Sequence, residues 1–494
     1  MNRQPPRRSV FHMLLSILTR KAPQQTKQPI QPPQHPAPGD RDAWHAHWKA
    51  QGQSWRTEPE IDLQRQAELA QTRAIVPDIE RGIYPFKGVK LSRADVEWLL
   101  AIHDNRRGPV DWNDTHQRER QGLDLRGADL SNEDLRGLPL AKLLAGLVFY
   151  GKWSFETAEQ RNIAGTHLEG ADLHEAHLEG ANLRGAHLER TNLFRAYLER
   201  ADLSRANLKE ANVREVQLPE ASLVRAHLEG ADLRRSHLEG SDLRETHFEG
   251  TDLREAHLED ANLRRAFFTS ASNLDGIILG NTKHENVQLA GTHFGDADLT
   301  MVNWSQIKML GDECRARQPG QSDEKGKDAI TRLHEYQKAV QANRQLAVVL
   351  QAQGLNEQAA RFAYRAQVLQ RRVFWFEVTQ QNVKLRQRGR SLGAWLFSWF
   401  LFLLAGYGYK PERSFLAYLL VISTFMILYL HLNPHLAWYE AIVVSMTAFH
   451  GRGFSPSTFS PGDPLSIVSA VEAFVGLIIE VTFIATLTRR FFGQ

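Results

Sequence analysis

Residues 166–205 read THLEG ADLHE AHLEG ANLRG AHLER TNLFR AYLER ADLSR, which is eight consecutive units of five residues. Each unit has a small residue two positions before a central apolar residue, as in Ala171 and Leu173 or Ala176 and Leu178. A helix would space apolar residues three and four apart, and a half-buried strand would space them two apart. A strict period of five fits neither. It predicts a solenoid, in which each unit buries its apolar face against neighbouring units.

The repeat extends well beyond this stretch. It begins at Leu125, is interrupted by an expected insertion at residues 141–160, and resumes at Ile163. It then slips by one residue at Asn273 and continues to Trp304. The motif A(D/N)LXX closely resembles the pentapeptide-repeat family. That resemblance implies a right-handed, four-sided β-helix with four units in each coil, and with the small and central residues pointing inward.

At four units in each coil, the repeats make about eight coils. Because neighbouring rungs lie ~4.8 Å apart, the rod is roughly 40 Å long. The fold class expected for the whole chain is therefore multidomain: mainly a β solenoid, joined to a helical hairpin and a two-transmembrane pore-loop helical domain. The predicted segments are a disordered N-terminus rich in basic, Pro and Gln residues (1–42), a capping module (43–120), the β-helix (121–310), a linker (311–327), the hairpin (328–390) and a membrane domain (391–494).

Composition sets only loose limits on function. The 494 residues carry a net charge of +3, which names no partner, and the single cysteine, Cys314, excludes a disulfide framework and suits a reducing compartment. The apolar run Val10–Leu18 follows several arginines but precedes no small-residue cleavage site. We expect it to be a short amphipathic helix at a membrane surface, in preference to a signal peptide.

Two helical features flank the repeats. Ser92 and Asp95 predict a capped helix start within the module that would cover the open end of the solenoid. After the repeats, two helical segments meet at Gly354, where a left-handed residue suits a helix end. The pair resembles a tetratricopeptide-like hairpin, and because one hairpin cannot bury itself, it is expected to pack on the β-helix or to self-associate.

The outward positions of the repeats carry charges and histidines that should stack every twenty residues. One such column contains carboxylates and a neighbouring face contains arginines, which we interpret as weak surface ion pairs. Two further columns contain histidines, but a zinc site needs ligands that converge on one point, so no metal and no cofactor are predicted. The residues concerned are Glu169, Glu189, Glu229, Glu249, Arg244, Arg264, His167, His187, His227, His247, His177, His237 and His257.

Some pentapeptide-repeat proteins resemble the DNA duplex in shape and charge and bind DNA gyrase. Residues 161–270 contain fifteen Lys and Arg against twenty Asp and Glu, a net charge of −5. A duplex carries one charge per ~1.7 Å, so this stretch is a weak imitation. A topoisomerase-binding DNA mimic therefore stays a lower-ranked alternative, and no nucleic-acid partner is expected.

The last hundred residues contain three apolar segments. Residues 413–432 and 465–488 are each long enough to span a bilayer, which takes about 20 residues. Residues 392–405 are shorter and rich in aromatic residues, so they are interpreted as an interfacial helix, with a tilted third span reaching Tyr409 as the alternative. Lys and Arg cluster before the first segment and after the last, which indicates two spans with both termini in the cytoplasm. The expected location is a bacterial inner membrane.

Between the two spans, residues 438–454 read WYEAIVVSMTAFHGRGF. An apolar helix followed by Gly-x-Gly, set between an outer and an inner helix, resembles the pore helix and filter of two-transmembrane potassium channels. The resemblance covers about 100 residues and implies a homotetramer, because one two-span unit cannot enclose a pore. The filter-like residues are Thr447, Phe449, His450, Gly451, Arg452, Gly453 and Phe454.

The filter itself departs from the potassium-channel pattern. Phe449, His450 and Arg452 stand where Thr, Val and Tyr are expected, and Phe449 has no hydroxyl group to coordinate an ion. Four copies of Arg452 near one axis would repel cations. The remaining interpretations are a non-selective or anion-tolerant pore, a non-conducting relative, and an ordinary re-entrant turn in which Arg452 reaches lipid headgroups.

The last span carries a polar stripe. Glu472, Gly476 and Glu480 lie four residues apart and so share one helix face. A carboxylate inside a membrane must face protein or water, and a glycine there permits close helix approach. The pair is interpreted either as pore-facing gating groups or as hydrogen-bonded packing residues, with Arg452 as a conceivable partner of Glu472.

The sequence thus favours an oligomeric, membrane-embedded ion channel or channel relative whose cytoplasmic β-helix senses or docks a protein partner. The alternative is a non-conducting membrane scaffold. No Walker loop, GxSxG or HExxH motif is present, and outward ladders offer no enclosed pocket, so an enzyme is not expected.

Overall fold

The computed structural model describes residues 36–78, 80–147, 157–280, 287–318, 328–379, 385–451 and 464–492. The chain forms two compact units, Met1–Pro59 and Glu60–Gln494. The described part of the smaller unit contains helix α1 (Arg41–Ala50), which Asp40 caps by accepting a hydrogen bond from the Ala43 amide. Its core is a pair of buried tryptophans, Trp44 and Trp48, whose ring centroids are 6.0 Å apart.

The larger unit carries the repeats and the other helices of the described residues. These helices are α2 (Leu63–Arg73), α3 (Arg93–Ala101), α4 (Ala158–Ala164), α5 (Gly311–Arg317), α6 (Ala329–Ala352), α7 (Asn356–Thr379), α8 (Leu385–Ala405), α9 (Pro411–Leu432), α10 (Trp438–Phe449) and α11 (Pro464–Phe492), with 3₁₀ turns at Trp304–Gln306 and Gly406–Gly408.

The repeats form a four-sided coil. The residue before each central apolar residue pairs in parallel with the residue twenty positions later, as His167 does with His187 and Asp172 with Asn192. Within the described residues these rungs are single bridges in place of extended strands. Four columns of rungs run along the coil, so the expectation of four units in each turn is confirmed.

The period of five fixes which side chains are inside. Ala171 and Leu173 are fully buried, and the same holds along the regular repeats. Where threonine replaces the small residue, its hydroxyl group donates to a core-lining carbonyl, as from Thr191 to Leu168 O at 2.7 Å. The last residue of a unit takes a left-handed φ, +72° at Gly230, because the chain turns a corner there. That conformation explains why glycine recurs at this position.

The insertion begins later than the expected 141–160. Asp124 pairs with Leu144, and Leu144 pairs with Asn182, so the coil is still regular where an interruption was predicted. The physical reason is that Leu143 and Ala145 occupy the small and the central inward positions of a further unit and are both buried. Residues 148–156 lie outside the described residues, and α4 precedes the return to the coil.

The one-residue slip at Asn273 is confirmed, because Asp252 pairs with Asn273, twenty-one positions later. A second irregularity was not expected. Asn262 pairs with Gln288, twenty-six positions later, so six residues beyond the twenty of a full coil lie between these rungs, and one of the six is the slip at Asn273. The expectation that the repeat continues without interruption from Asn273 to Trp304 is therefore wrong.

The beginning of the coil is covered by α3. Ser92 and Asp95 exchange hydrogen bonds in a capping box, which confirms the predicted helix start. Arg93, which is buried, donates to the carbonyl oxygens of Asp134 and Arg136, both at 3.0 Å. These carbonyl groups belong to the first coil, and their satisfaction by α3 is what a solenoid cap must supply.

The expected linker at 311–327 is in part a helix. Asp312 in α5 is fully buried, and its carboxylate accepts hydrogen bonds from the amides of Leu289 and Ala290, at 2.6 and 3.1 Å. Arg264 pairs with the same carboxylate at 2.7 Å. The polar composition of α5 therefore serves the last coil, because its acidic side chain satisfies amide groups that have no further rung to bind.

The hairpin of α6 and α7 packs on the end of the coil. Gly354 at the turn has a left-handed φ of +79°, as predicted. The Gln353 side chain accepts a hydrogen bond from the Leu299 amide at 2.7 Å and donates to Ala297 O at 2.6 Å. The side-chain amide thereby replaces the peptide group of a further rung. The hairpin was expected either to pack on the β-helix or to self-associate, and in this structure it packs on the β-helix.

The C-terminal helices form a separate cluster. Three are long and apolar enough to cross a membrane: Leu385–Gly408, Pro411–Leu432 and Pro464–Thr488. The first is longer than the expected 392–405 because its basic start, from Leu385, is continuous with the apolar part. Helix α10 lies between α9 and α11 and packs near Tyr429 at its start and Tyr418 at its end.

Candidate functional site

The polar stripe of α11 lies against α10. Glu472 is fully buried, and its carboxyl group accepts hydrogen bonds from the hydroxyl groups of Tyr429, at 2.8 Å, and Ser445. The first donor is on α9 and the second on α10, so one carboxyl group joins three helices. This geometry matches the packing interpretation of Glu472. Arg452, the conceivable ion-pair partner of Glu472, lies outside the described residues, so that pairing stays a prediction.

One helical turn later, Gly476 faces the end of α10. A Cβ atom at this position would lie 2.1 Å from Phe449 O and 3.1 Å from Phe449 Cγ. No side chain fits there, so the two backbones can approach this closely only with glycine. The role predicted for Gly476, a point of close helix approach, follows directly from this contact.

The third residue of the stripe pairs with the filter-like segment. Glu480 Oε1 lies 3.4 Å from His450 Nε2, and both side chains remain more than one-third exposed. The pair borders a cavity of about 390 Å³ that Tyr418 and Phe483 also line. Glu480 is therefore the exposed carboxyl group of the stripe, whereas Glu472 is enclosed.

The other predicted loop residues are only partly described. Thr447 donates its hydroxyl hydrogen to the carbonyl oxygens of Val443 and Val444 in its own helix. Gly451 adopts a left-handed φ of +66° and ends α10. Arg452, Gly453 and Phe454 lie outside the described residues, so the constriction predicted at 449–454 stays a prediction.

Helix α8 runs alongside α7. The Trp395 ring lies 5.2 Å from that of Trp375, and Tyr407, beyond the end of α8, lies 6.1 Å from Tyr364. The later residue of the α8 side contacts the earlier residue of α7, so the two helices are antiparallel over most of the length of α8. The opposite face of α8 exposes large apolar side chains, among them Leu396, Phe397, Phe400 and Leu403.

The predicted histidine columns are present on the β-helix. The rings of His167 and His187 stack with centroids 4.5 Å apart and an angle of 2°, and those of His237 and His257 stack at 4.8 Å and 12°. Neighbouring glutamates come close enough to form three His–Glu–His groups without an ion. In each group the three ligand atoms lie within 4.8 Å of one another, a spacing at which they could hold a metal ion, so the expectation of no metal at these columns stays a prediction.

The charged columns form ion pairs along the rod. Arg195 pairs with Glu215 at 2.8 Å and Arg235 with Glu255 at 2.7 Å, and each partner lies one coil further on. The hydrogen bond from Arg195 lowers the pKa of the Glu215 carboxyl group. The weak surface ladder was predicted for other columns. There Arg244 pairs with Asp242 at the surface, as expected, whereas Arg264 pairs with the fully buried Asp312, so the prediction is wrong for Arg264.

A groove of about 1090 Å³ follows the same face of the rod. Its floor includes the stacked rings of His177 and Tyr197, and Trp112 lies at one end, donating its indole N–H to Glu199 at 3.3 Å. Glu179 accepts a hydrogen bond from His177 and raises the pKa of that imidazole.

Sequence reasoning missed several residues of these sites. Tyr429 and Ser445 were not predicted as partners of Glu472, although each is a polar group in an apolar helix and so requires a partner. Trp112 was placed in the capping module, but no local pattern could have shown its position over Gly180, sixty-eight residues later.

Comparisons with known proteins identify the repeats. Family models match at residues 171–248, described as a pentapeptide repeat region, and at residues 231–270, described as eight copies of the pentapeptide repeat. No curated protein matches the chain. Several solved structures do.

HetL, a pentapeptide repeat protein involved in heterocyst differentiation regulation in the cyanobacterium Nostoc sp. strain PCC 7120, is 29% identical over 37% of this chain and 76% of its own, with a TM-score of 0.23. Another pentapeptide repeat protein from Nostoc PCC 7120 is 33% identical over 20% of this chain and 78% of its own, with a TM-score of 0.18. QnrB1, a plasmid-mediated fluoroquinolone resistance protein, is 18% identical over 35% of this chain and 79% of its own, with a TM-score of 0.20.

The identity to the second Nostoc protein extends over more than three-quarters of that protein. The family models and the four-column coil agree with it. The chain belongs to the pentapeptide repeat family, and its C-terminal helices are long and apolar enough to associate it with a membrane.

Proposed function

We propose that this chain is an oligomeric, membrane-embedded pore-loop protein, an ion channel or a relative of one, whose β-helix docks or senses a partner in the cytoplasm. The observation that carries the proposal is the position of α10. A short apolar helix, too short to cross a bilayer, is held between two long apolar helices by Glu472 and Gly476 and ends beside Glu480.

The depth of α10 supports a re-entrant path. Its first half packs with Tyr429, near the end of α9, and its last residue packs with Tyr418, near the beginning of α9. The helix therefore starts at one membrane surface and descends towards the other without reaching it. Polar loop residues at such a depth are tolerated where protein or a water-filled cavity surrounds them.

The topology we propose has two spans, α9 and α11, with α8 on the membrane surface. Helix α8 follows α7, whose other face packs against α6, and α6 binds the β-helix through Gln353. A helix that crosses the hydrocarbon could not lie along a charged helix that packs on the rod. The exposed aromatic face of α8 then meets the headgroup region.

An assembly of several copies follows from the surfaces of α9 and α11. Both expose large apolar side chains along their length, including Leu416, Leu420, Phe474 and Leu477. Lipid can cover part of these surfaces, but one two-span unit cannot surround a pore. We propose a homotetramer whose α11 helices surround the axis.

Labelling of single cysteines tests the topology. In a Cys314→Ser background, Lys410→Cys lies between α8 and α9, and His435→Cys lies between α9 and α10. If the protein has two spans, an impermeant maleimide added to intact cells should label position 435 and not position 410. Position 410 should be labelled only after the cells are permeabilised. Labelling of position 410 in intact cells would contradict the surface position of α8.

Ion flux tests the function. Full-length protein in liposomes should release potassium, sodium or chloride, measured separately with ion-selective dyes against empty liposomes. Glu480→Gln removes the water-accessible carboxyl group and should change the relative permeability to cations and anions, because a pore-lining carboxylate attracts cations. Liposomes impermeable to all three ions would overturn the channel proposal.

The second candidate function is a non-conducting scaffold, and the groove beside Trp112 favours it. A concave surface with stacked rings and ion pairs can bind an extended segment of a protein partner. Impermeable liposomes together with loss of partner binding in Trp112→Ala would favour this candidate. The neutralising ion pairs along the rod do not favour imitation of a DNA duplex, so we do not propose that role.

A further inference from the structure

The junction between the rod-bound helix α7 and the membrane helices contains basic side chains without counter-charges. The Arg371 guanidinium lies 4.1 Å from the Trp399 ring centroid and 4.3 Å from that of Phe402. The Arg413 guanidinium lies 4.4 Å from the same Phe402 ring and donates to Phe402 O at 2.8 Å. Two cations from α7 and α9 therefore flank one aromatic side chain of α8.

Neither arginine has an acidic partner among the described residues. Arg371 Nη1 is buried and has no hydrogen-bond acceptor there. Lys410, one helical turn before Arg413, has its Nζ atom 5.3 Å from the Tyr364 ring and forms no ion pair within the described part of the chain. Three positive charges are thus held in place by aromatic rings, and a buried donor without an acceptor is costly.

The surroundings of the three cations identify the missing anion. The exposed apolar face of α8 begins beside them, with Phe400 and Leu403 exposed. Helix α9 enters the apolar cluster immediately after Arg413, and its first turn has no side-chain cap. A ligand of this site needs an anionic oxygen to pair with the three cations and a hydrocarbon part to cover the exposed apolar face of α8. A soluble anion has no hydrocarbon part.

We propose that Arg371, Lys410 and Arg413 bind the phosphate group of an anionic phospholipid, whose acyl chains lie on the exposed face of α8. Guanidinium groups suit this ligand because their planar N–H donors match phosphate oxygens. The site would fix α8 at the membrane surface and connect the β-helix to the pore-loop helices through α7. It rests on the surface position of α8 in the proposed function.

Native mass spectrometry of the full-length protein in detergent tests the site. Phosphatidylglycerol, phosphatidylcholine or inorganic phosphate is added, and retained molecules are counted. We expect phosphatidylglycerol to be retained and the other two not. Arg371→Gln/Arg413→Gln should weaken this retention about thirtyfold, which is about 2 kcal/mol, since each basic side chain contributes about 1 kcal/mol near anionic lipid.

The matched control is Arg195→Gln/Arg235→Gln, which removes two arginines that pair with glutamates on the rod. It should retain phosphatidylglycerol like the unchanged protein. Arg371→Lys/Arg413→Lys keeps the charge and should retain part of the affinity, which separates binding from misfolding. Equal retention of phosphatidylcholine, binding of inorganic phosphate, or unchanged retention in the Gln variant would each overturn the proposal. The readout does not depend on ion flux, so a non-conducting protein leaves it valid.

Discussion

Gly476 lies beneath the carbonyl group of Phe449, so closely that a Cβ atom would be 2.1 Å from the oxygen. This contact fixes the end of the short helix α10 against the long helix α11. The residue that follows, His450, is thereby placed within 3.4 Å of Glu480. The close approach of two backbones thus positions the polar groups of the candidate site.

Gly476→Ala should destabilise the membrane part of the protein by about 1–3 kcal/mol, because an added methyl group in a packed site forces the helices apart. Thermal unfolding of the full-length protein in detergent measures the effect. Gly393→Ala in α8 is the matched control, since its new Cβ atom would meet no atom within 4 Å. Equal melting temperatures for the two variants would contradict the contact.

Glu472→Ala should cost more stability than Glu480→Ala. The first change removes the buried acceptor of two interhelical hydrogen bonds, from Tyr429 and Ser445, whereas Glu480 is partly exposed. Interhelical hydrogen bonds in membranes contribute roughly 0.6–1.7 kcal/mol each. A double-mutant cycle of Tyr429→Phe with Glu472→Gln should give a coupling of this size, and a coupling of zero would show that the carboxyl group does not join these helices.

Gln353→Ala should open the last coil of the β-helix. The amide of Leu299 and the carbonyl of Ala297 would lose their partner at a cost of about 1–3 kcal/mol. Hydrogen exchange of the full-length protein should become faster around residues 297–299. Gln351→Ala on the exposed face of the same helix is the control, and faster exchange in that variant as well would point to a general loss of helix stability.

His177 should make the stability of the rod depend on pH. Its imidazole has a raised pKa, chiefly because Glu179 accepts a hydrogen bond from it. Protonation therefore favours the folded state: the contribution is complete below the unfolded pKa of about 6.5 and disappears as the pH rises through the folded pKa. His177→Gln should lower the melting temperature at about pH 5.5 and leave it unchanged at about pH 8.5.

The size of this effect is below about 1 kcal/mol, since the side chain is half exposed and solvent screens the pair. Glu179→Gln should weaken the same pH dependence, because the neutral amide can still accept a hydrogen bond but no longer attracts the protonated imidazole. His116→Gln, at an exposed position outside the coil, should leave it intact. A pH profile of His177→Gln parallel to that of the unchanged protein would contradict the assignment.

The coil was predictable because one short period determines it. Leu173 and Ala171 are buried for the same reason as their equivalents in every other coil, so the pattern itself specifies the core. The irregular places were harder. Leu143 and Ala145 are inward, but a large residue stands at the small position and a small residue at the central one, so the pattern is hidden. The longer separation of Asn262 and Gln288 depends on which unit leaves the coil.

The ends of the coil and the candidate site depended on tertiary contacts. In the sequence, Asp312 belongs to a polar segment that was predicted to be a linker. Its burial is explained only by the hydrogen bonds that it accepts from the amides of Leu289 and Ala290. The stripe of Glu472, Gly476 and Glu480 was visible in the sequence because helical spacing places them on one face. Its partners were not visible, because Ser445 and Tyr429 belong to other helices whose order in space no local pattern specifies.

The central claim is that several copies of this chain assemble around a shared axis in the membrane. The native mass of the detergent-solubilised, full-length protein tests it most directly. A chain of 56.2 kDa should give a complex of four copies, stable at dilute concentration. A protein that remains a monomer of 56.2 kDa in mild detergent, with and without phosphatidylglycerol, would contradict the account, since no pore could then form between copies.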